Sequence, residues 1–549
     1  MRVLIFHGYL LDGTGSNVYN ARLAAALVGL GHDVHLLSQD RHPQRQPFVD
    51  AVGDWDGGRL RVRELDRVGR DGADAPRRGR CTVYRPDIGG LLPVYVADRY
   101  EGIQARTFAQ CSEAELARYV DANVAAVGEL LERVSPEAAL ANHLVMGPVI
   151  LARGLKGEIP YAVKVHGSAL EYTVKPQPQR FLPPAREGLA DARAVLVGSR
   201  HTAVSLWRAL GDPQLALRTR LGPPGVDVVR FAPREPAAAA EGVRDLAARL
   251  RVAAAPTLDG EPAENGGAAE SGGAGSDGDA GAFARDGLAA AAAMARLDPD
   301  RDLLVAYVGK LIVSKGVDLL IASWPLVLER VPRARLVVVG FGAYREGLER
   351  LRAALIAGDV RGAREIALAG RALEGDSSHA RPLRHLLAFL DGLRGQERER
   401  YLLAAPALEE QVVFTGRLDH EELAELLPAC EAVVVPSTFP EAFGMVAAEA
   451  AACGALPISA AHSGLAEVSA SLAGAVPQAA AGWLSFPVDD HAAEAIAARV
   501  AGWLRADHAV RERTRAGLVA TVRERWSWEG VARGVIAAAQ GDLDGLAEP

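Results

Sequence analysis

Short apolar runs recur along the first 232 residues, separated by stretches in which apolar positions return every three or four residues. The runs Val3 to Phe6, Asp33 to Leu37, Ala138 to Ala141 and Tyr161 to Val165 have strand length, and Tyr19 to Leu30 has helical spacing. The pattern restarts at Asp302 with LLVAYVGK, a helix over Val317 to Arg330, then ARLVVVG, QVVFTG, EAVVVPS and ALPISA. Strands alternating with helices predict a parallel sheet covered on both faces. Two such series predict an α/β chain of two doubly wound, Rossmann-like domains, over 1–232 and 302–525, with a final helical segment over 526–549.

Two stretches interrupt this rhythm. Glu235 to Arg301 is centred on GEPAENGGAAESGGAGSDGDAG, which has too little apolar surface to offset the entropy of ordering, and 235–301 is expected to be a disordered insertion. Tyr344 to Glu410 fills a place where one helix would suffice. Its amphipathic pieces GLERLRAALIAG, GAREIALAGRAL and PLRHLLAFLDGL predict a helical insertion over 344–410, either decorative or used in acceptor choice or self-association. The arginine-rich Arg59 to Arg85 reads as a solvated loop, with a basic acceptor or lipid-headgroup patch as the alternative.

Charge narrows the partners. The 549 residues carry 61 basic and 69 acidic side chains, net -8, which gives no global attraction for nucleic acid and leaves peripheral membrane contact to local patches. Four cysteines without CxxC or Cys/His ligand spacing suggest neither a disulfide framework nor a zinc site, and Cys430 and Cys453 read as buried apolar groups. His7, Gly8 and Asp12 interrupt the apolar start too soon for a signal peptide, and no apolar run reaches the ~18 residues of a membrane span. A cytoplasmic protein is expected.

The densest candidate chemistry is Pro436 to Gly454, PSTFPEAFGMVAAEAAACG. Pro436 ends a strand, a loop runs to Gly444, and a helix is expected to begin there. Its first N–H groups lack intrahelical partners and form an anion site with the helix dipole. On one continuous helix Glu441 and Glu449 would lie roughly 80° apart, so Glu441 is assigned to the loop and Glu449 to the helix, about one turn in. One carboxylate can then reach each end of a bound diphosphate sugar and accept hydroxyl hydrogen bonds. Lys310 and Lys315, in the loop after the strand LLVAYV, can neutralise a diphosphate, although the spacing is not that of a Walker loop. Gly340, Phe341 and Gly342 form another close-approach turn. In the first domain, DGTGSN (Asp12 to Asn17) follows a strand and opens a helix, offering Gly13, Gly15, Ser16 and Asn17 to a phosphate or acceptor; Val18 spoils a dinucleotide fingerprint. His166 and Gly167, and less specifically Asn142 and His143, follow strand ends where open α/β sheets bind ligands. No Asp-x-Asp pair is placed to bind a metal.

Taken together and in order, these residues resemble the retaining glycosyltransferases of GT-B type, family 4. The resemblance rests on the glycine loop at Gly13 to Asn17, HGS at His166, GSR at Gly198, PPGVDVVRF at Pro223 to Phe231, GKLIVSKG, VVFTGRL and PEAFGMVAAEA. It implies two domains facing across a cleft that closes for reaction, the first binding a hydroxyl acceptor (a small molecule, a glycan or a lipid-linked glycan) and the second a nucleotide-sugar donor. It also implies that Glu449 holds the ribose, Glu441 contacts the donor sugar, and Phe443, Gly444 and Met445 offer backbone N–H groups. Lys315 would bind the diphosphate and His166 orient the sugar. Lys310 stands where the family usually has arginine, so a point charge replaces a bidentate fork. Transfer is implied to retain the anomeric configuration, with no cofactor or metal, and the C-terminal WSWEGVARGVIAAA to cross back onto the first domain. A nucleotide-sugar 2-epimerase of the same architecture and an inactive nucleotide-sugar-binding regulator are the competing readings. Sugar, base, acceptor and oligomeric state stay open.

Overall fold

A computed structural model describes residues 1–12, 15–66, 79–95, 104–254, 286–374 and 381–549. The chain forms two compact units, Met1–Gly225 with Arg525–Pro549, and Val226–Glu524.

In the first unit the strands, in chain order, are β1 (Arg2–Phe6), β2 (Asp33–Leu37), β3 (Ala51–Asp56), β4 (Arg59–Glu64), β5 (Cys81–Arg85), the short pair β6 (Leu91–Val94) and β7 (Gln104–Thr107), then β8 (Ala138–Asn142), β9 (Tyr161–Val165), β10 (Ala194–Val197) and β11 (Thr219–Leu221). Nine of them form one sheet in the order β11-β10-β9-β8-β1-β2-β5-β3-β4, parallel except where β4 pairs with β3. Because side chains alternate along a strand, Leu4 and Phe6 enter one apolar layer while Val3 and Ile5 enter the other. Ala532, Val535, Ala538 and Ala539 of the last helix, Trp528–Gln540, complete that second layer, so the C-terminal segment belongs to the first unit's core.

The second unit continues with β12 (Leu303–Val308), β13 (Ala334–Val339), β14 (Val412–Gly416), β15 (Ala432–Val435), β16 (Leu456–Ala460) and β17 (Ser485–Phe486). They form a six-stranded sheet in the order β14-β13-β12-β15-β16-β17. The segment before β14 is helical, with Arg345–Ile356, Val360–Ala369, Arg384–Gly392 and Gly395–Ala404 as its main helices. Among the described residues no helix is long and apolar enough to cross a membrane, and all four cysteines are free and buried.

Two expectations need correction. The 235–301 stretch is not disordered throughout, since Pro236–Ala254 and Gly287–Met294 are helices. The first buries Ala239, Ala240, Val243, Leu246, Ala247 and Leu250, an apolar stripe that its alanine content disguised. The low-complexity centre, 255–285, lies outside the described residues. Likewise Arg59 to Arg85 is not one loop, because β4 and β5 form its ends while 67–78 lie outside the described residues. Charged side chains on β4 are what an exposed edge strand carries to avoid further pairing.

Candidate active site

Ligands of open α/β sheets bind beyond the carboxyl ends of the strands, at the point where the chain crosses to the other side of its first strand. In the second unit it falls between β12 and β15. The loop after β12 must therefore lie beside the loop after β15. Gly316 makes the approach close: its φ is 68°, and a Cβ there would lie 2.0 Å from the Pro436 carbonyl oxygen. Thr438 N–H donates to the Ser314 carbonyl at 2.9 Å, fastening loop to loop. As a result the Lys315 ammonium pairs with the Glu441 carboxylate, although the two are 126 residues apart.

Glu441 is held from several sides. Ser437 Oγ donates to its Oε1 at 2.6 Å, its N–H donates to Ser463 Oγ at 2.9 Å, and its carbonyl accepts from Gly464 N–H at 2.9 Å. His462 Nε2 donates to the Ser437 carbonyl at 2.8 Å and braces the same loop. The pair stays reachable, with Lys315 30% and Glu441 25% exposed at the side chain. Just beyond, Gly444 (φ 136°) precedes the helix Met445–Ala452, where a Cβ would meet Leu465 Cδ2 at 2.7 Å. Phe443 is buried before it and Met445 begins it. Glu449, one turn in, is 5% exposed and accepts from His420 Nε2 at 2.8 Å. Lys310 is exposed and makes no ion pair among the described residues.

In the first unit that crossing falls between β1 and β8, and it gathers a buried polar chain. His166 Nε2 donates to Asn142 Oδ1 at 2.8 Å, Asn142 Nδ2 to Asn20 Oδ1 at 2.7 Å, and Asn20 Nδ2 to His7 Nδ1 at 3.0 Å. His7 Nε2 then donates to the Leu10 carbonyl at 2.9 Å and to Asn17 Oδ1 at 3.1 Å, and Asn17 Nδ2 to the Asp12 carbonyl at 2.8 Å. Every donor meets an acceptor, so the direction of the chain sets both tautomers: His166 carries its proton on Nε2 and keeps Nδ1 as an acceptor. Gly15 (φ 61°) and Ser16 open the helix Ser16–Gly29 beside Asn17, while Gly13 lies outside the described residues. Gly167 (φ 91°) lets the chain turn directly after His166.

His143 differs from its neighbours. It is buried with φ 68°, its ring lies 4.9 Å from that of His166 and 4.6 Å from that of Tyr95, and among the described residues neither ring nitrogen has a hydrogen-bond partner. Burial lowers its pKa well below 6.5, and also lowers His7 to about 4 and His166. Lys164, beneath this cluster, donates to the Gly222 carbonyl and is pushed down to about 7 by burial.

Residues 386–517 match the family described as Glycosyl transferases group 1, and residues 14–215 the Glycosyl transferase 4-like domain. The chain belongs to the group 1 glycosyltransferases. Glu441, Glu449 and His420 fall within the first match and His143 and His166 within the second. An uncharacterised glycosyltransferase of Methanocaldococcus jannaschii is 27% identical over 169 residues, which span 31% of this glycosyltransferase and only 30% of that protein. Among solved structures, sucrose-phosphate synthase from Thermosynechococcus elongatus aligns with a TM-score of 0.52 at 18% identity, covering 98% of each chain. Anabaena HepE in complex with UDP aligns at 0.54 and 13%, covering 98% of this chain and 100% of its own. At such identities the likeness establishes the fold, GT-B.

The strand-end clusters, one in each unit, gather most of the residues singled out in the sequence, and several that were not. His420 escaped notice because it follows a capping aspartate, Asp419, and looks like part of an ordinary helix start. Its position just past the end of β14 was the available signal. His7 and Asn20 gave none, since their role depends on partners from other strands and helices.

The buried imidazoles also make the first unit acid-sensitive. An imidazole whose pKa is depressed on folding contributes stability above about 6.5, and that stability is lost as pH falls toward 4, because the unfolded chain takes up protons the folded unit cannot. Between pH 7 and pH 5, His7, whose pKa falls to about 4, is expected to remove on the order of 2 kcal/mol, and His143 acts in the same direction. Urea unfolding at the two pH values measures this. His143→Phe should remain folded and recover part of the loss, the rest belonging to His7 and His166; an unchanged pH dependence would show that His143 is charged in the folded protein.

Proposed function

We propose that this glycosyltransferase moves a sugar from a nucleoside-diphosphate sugar to an acceptor hydroxyl, with retention of anomeric configuration. One observation carries the reading: Lys315, Glu441 and the N-terminus of Met445–Ala452 converge at one switch point, with Glu449 a turn further along the same helix. The diphosphate would lie on the helix N-terminus and Lys315, where exposed N–H groups and an ammonium meet its charge. Glu449, oriented by His420, would accept from the ribose hydroxyls, and Glu441 from the donor sugar. Lys315 and Glu441 neutralise each other in the structure. Donor binding would exchange that pair for a phosphate on Lys315 and sugar hydroxyls on Glu441.

As charge builds on the departing diphosphate oxygen, Lys315 and the helix amides would stabilise it, and that oxygen would take the proton of the attacking hydroxyl on the same face of the sugar. In the first unit, His166 would offer Nδ1 to a sugar hydroxyl, and His143 would gain a partner for its bare ring nitrogens. The HepE complex with UDP supports a nucleotide donor for the shared fold. Calorimetry with UDP-, GDP- and ADP-sugars identifies the donor. Glu449→Ala is expected to weaken that donor by about 10- to 100-fold, since lost hydrogen bonds to a charged group are worth ~1.5–3 kcal/mol. Unchanged affinity would remove Glu449 from the ribose role, and an inverted product anomer would overturn retention.

A further inference from the structure

Outside the donor residues, the helical insertion and the start of the helix Val317–Arg330 enclose a cavity of about 400 Å³. Arg371, Arg381, Arg384 and His385 line it from the insertion, Asp318 from the start of the helix, and Phe439 from the loop after β15. Several arginines elsewhere in the insertion are matched with acids, as in Arg345 with Glu349, Arg361 with Glu365 and Arg364 with Asp391, while Arg352 and Arg394 donate to backbone carbonyls. Those at the cavity are not so matched. Among the described residues the Arg371 and Arg381 guanidiniums meet no acid, and Arg384 Nε donates only to the His385 ring, at 3.0 Å. Three guanidiniums around one hollow leave a positive field with unused forked donors, the arrangement that recognises a phosphate.

The opposite wall asks for something else. Asp318 is 3% exposed and its Oδ1 has no hydrogen-bond partner among the described residues. Burial raises its pKa to about 7, so near neutrality its carboxyl can either accept from a hydroxyl or donate to one. A buried oxygen without a partner costs free energy unless a ligand satisfies it. Phe439, 46% exposed, adds an aromatic face on which the C–H side of a sugar ring can pack. A cavity of this volume lies at the small end of small-molecule sites.

We propose that this cavity is a second ligand site, distinct from the donor site, which binds a phosphorylated monosaccharide with its phosphate on Arg371, Arg381 and Arg384 and a hydroxyl on Asp318. Calorimetry on the full chain with glucose 6-phosphate and ribose 5-phosphate, against glucose and inorganic phosphate, tests it. At least one sugar phosphate is expected to bind saturably and at least tenfold more tightly than inorganic phosphate. The double variant Arg371→Ala/Arg384→Ala should weaken it by about 10- to 100-fold, as for lost charge-assisted bonds, while nucleotide-sugar affinity stays within about twofold. Asp318→Asn should narrow the preference for sugar phosphate over inorganic phosphate, and Glu449→Ala should leave sugar-phosphate binding intact. If the double variant melts below the assay temperature, Arg381→Gln alone carries the same test at an exposed position. Absence of saturable binding, equal affinity for inorganic phosphate, or binding unmoved by the arginine substitutions would overturn the site. So would sugar-phosphate binding lost in Glu449→Ala, which would put that ligand in the donor site.

Discussion

Lys315→Ala is expected to lower turnover by about 10²- to 10³-fold, the effect of deleting one preorganised donor to a developing oxyanion. Lys310, the other ammonium of this loop, is exposed and makes no ion pair among the described residues, so it is not held toward Glu441 as Lys315 is. Loss of the ammonium also leaves Glu441 with Ser437 as its side-chain donor. Part of the effect should appear as weaker donor binding, because the diphosphate is already charged before transfer; the remainder belongs to kcat. Lys315→Arg keeps the charge but needs more room beside Gly316, so it should recover only part of the activity. Steady-state kinetics over donor concentration separates the two contributions. Turnover of Lys315→Ala within threefold of the parent would take Lys315 out of the chemistry.

The second large effect is expected at a residue that touches no reacting atom in this reading. Asn142→Leu has nearly the shape of asparagine but breaks the polar chain in its middle, freeing His166 Nε2 on one side and leaving Asn20 Oδ1 and the Phe6 carbonyl short of a donor on the other. The unsatisfied groups should cost about 1–3 kcal/mol of stability. Turnover should fall by about 10²-fold, the scale of effect that follows when a positioning contact is lost and reacting groups shift by an ångström. Stability alone would not separate a structural role from a positioning one. The ring ¹⁵N shifts of His166 do, since the parent should hold the Nε2–H tautomer and the variant a mixture. A variant with the parent's tautomer and full activity would reduce Asn142 to packing.

These expectations rest on features that the sequence expressed unequally. Central parallel strands are buried on both faces and appear as continuous apolar runs, so Asp33–Leu37, Tyr161–Val165 and the helix Val317–Arg330 were legible to the residue. The edge strand Arg59–Glu64 was not, because its charges mimic a solvated loop, and Pro236–Ala254 was hidden because alanine marks a buried stripe weakly.

For the site, local sequence determined what lies in the strand-end loops: Lys315 after β12, Glu441 and Glu449 around a glycine turn, His143 and His166 after β8 and β9. Chemistry confined to a loop and its adjoining helix is written in consecutive residues. Only the tertiary structure decided the pairings. Lys315 meets Glu441 because β15 lies beside β12, His420 reaches Glu449 from the turn after β14, and His7, Asn20, Asn142 and His166 join because β8 lies beside β1. Strand order is set by how whole apolar faces are buried, an energy summed over the sheet, and no local stretch of residues carries it.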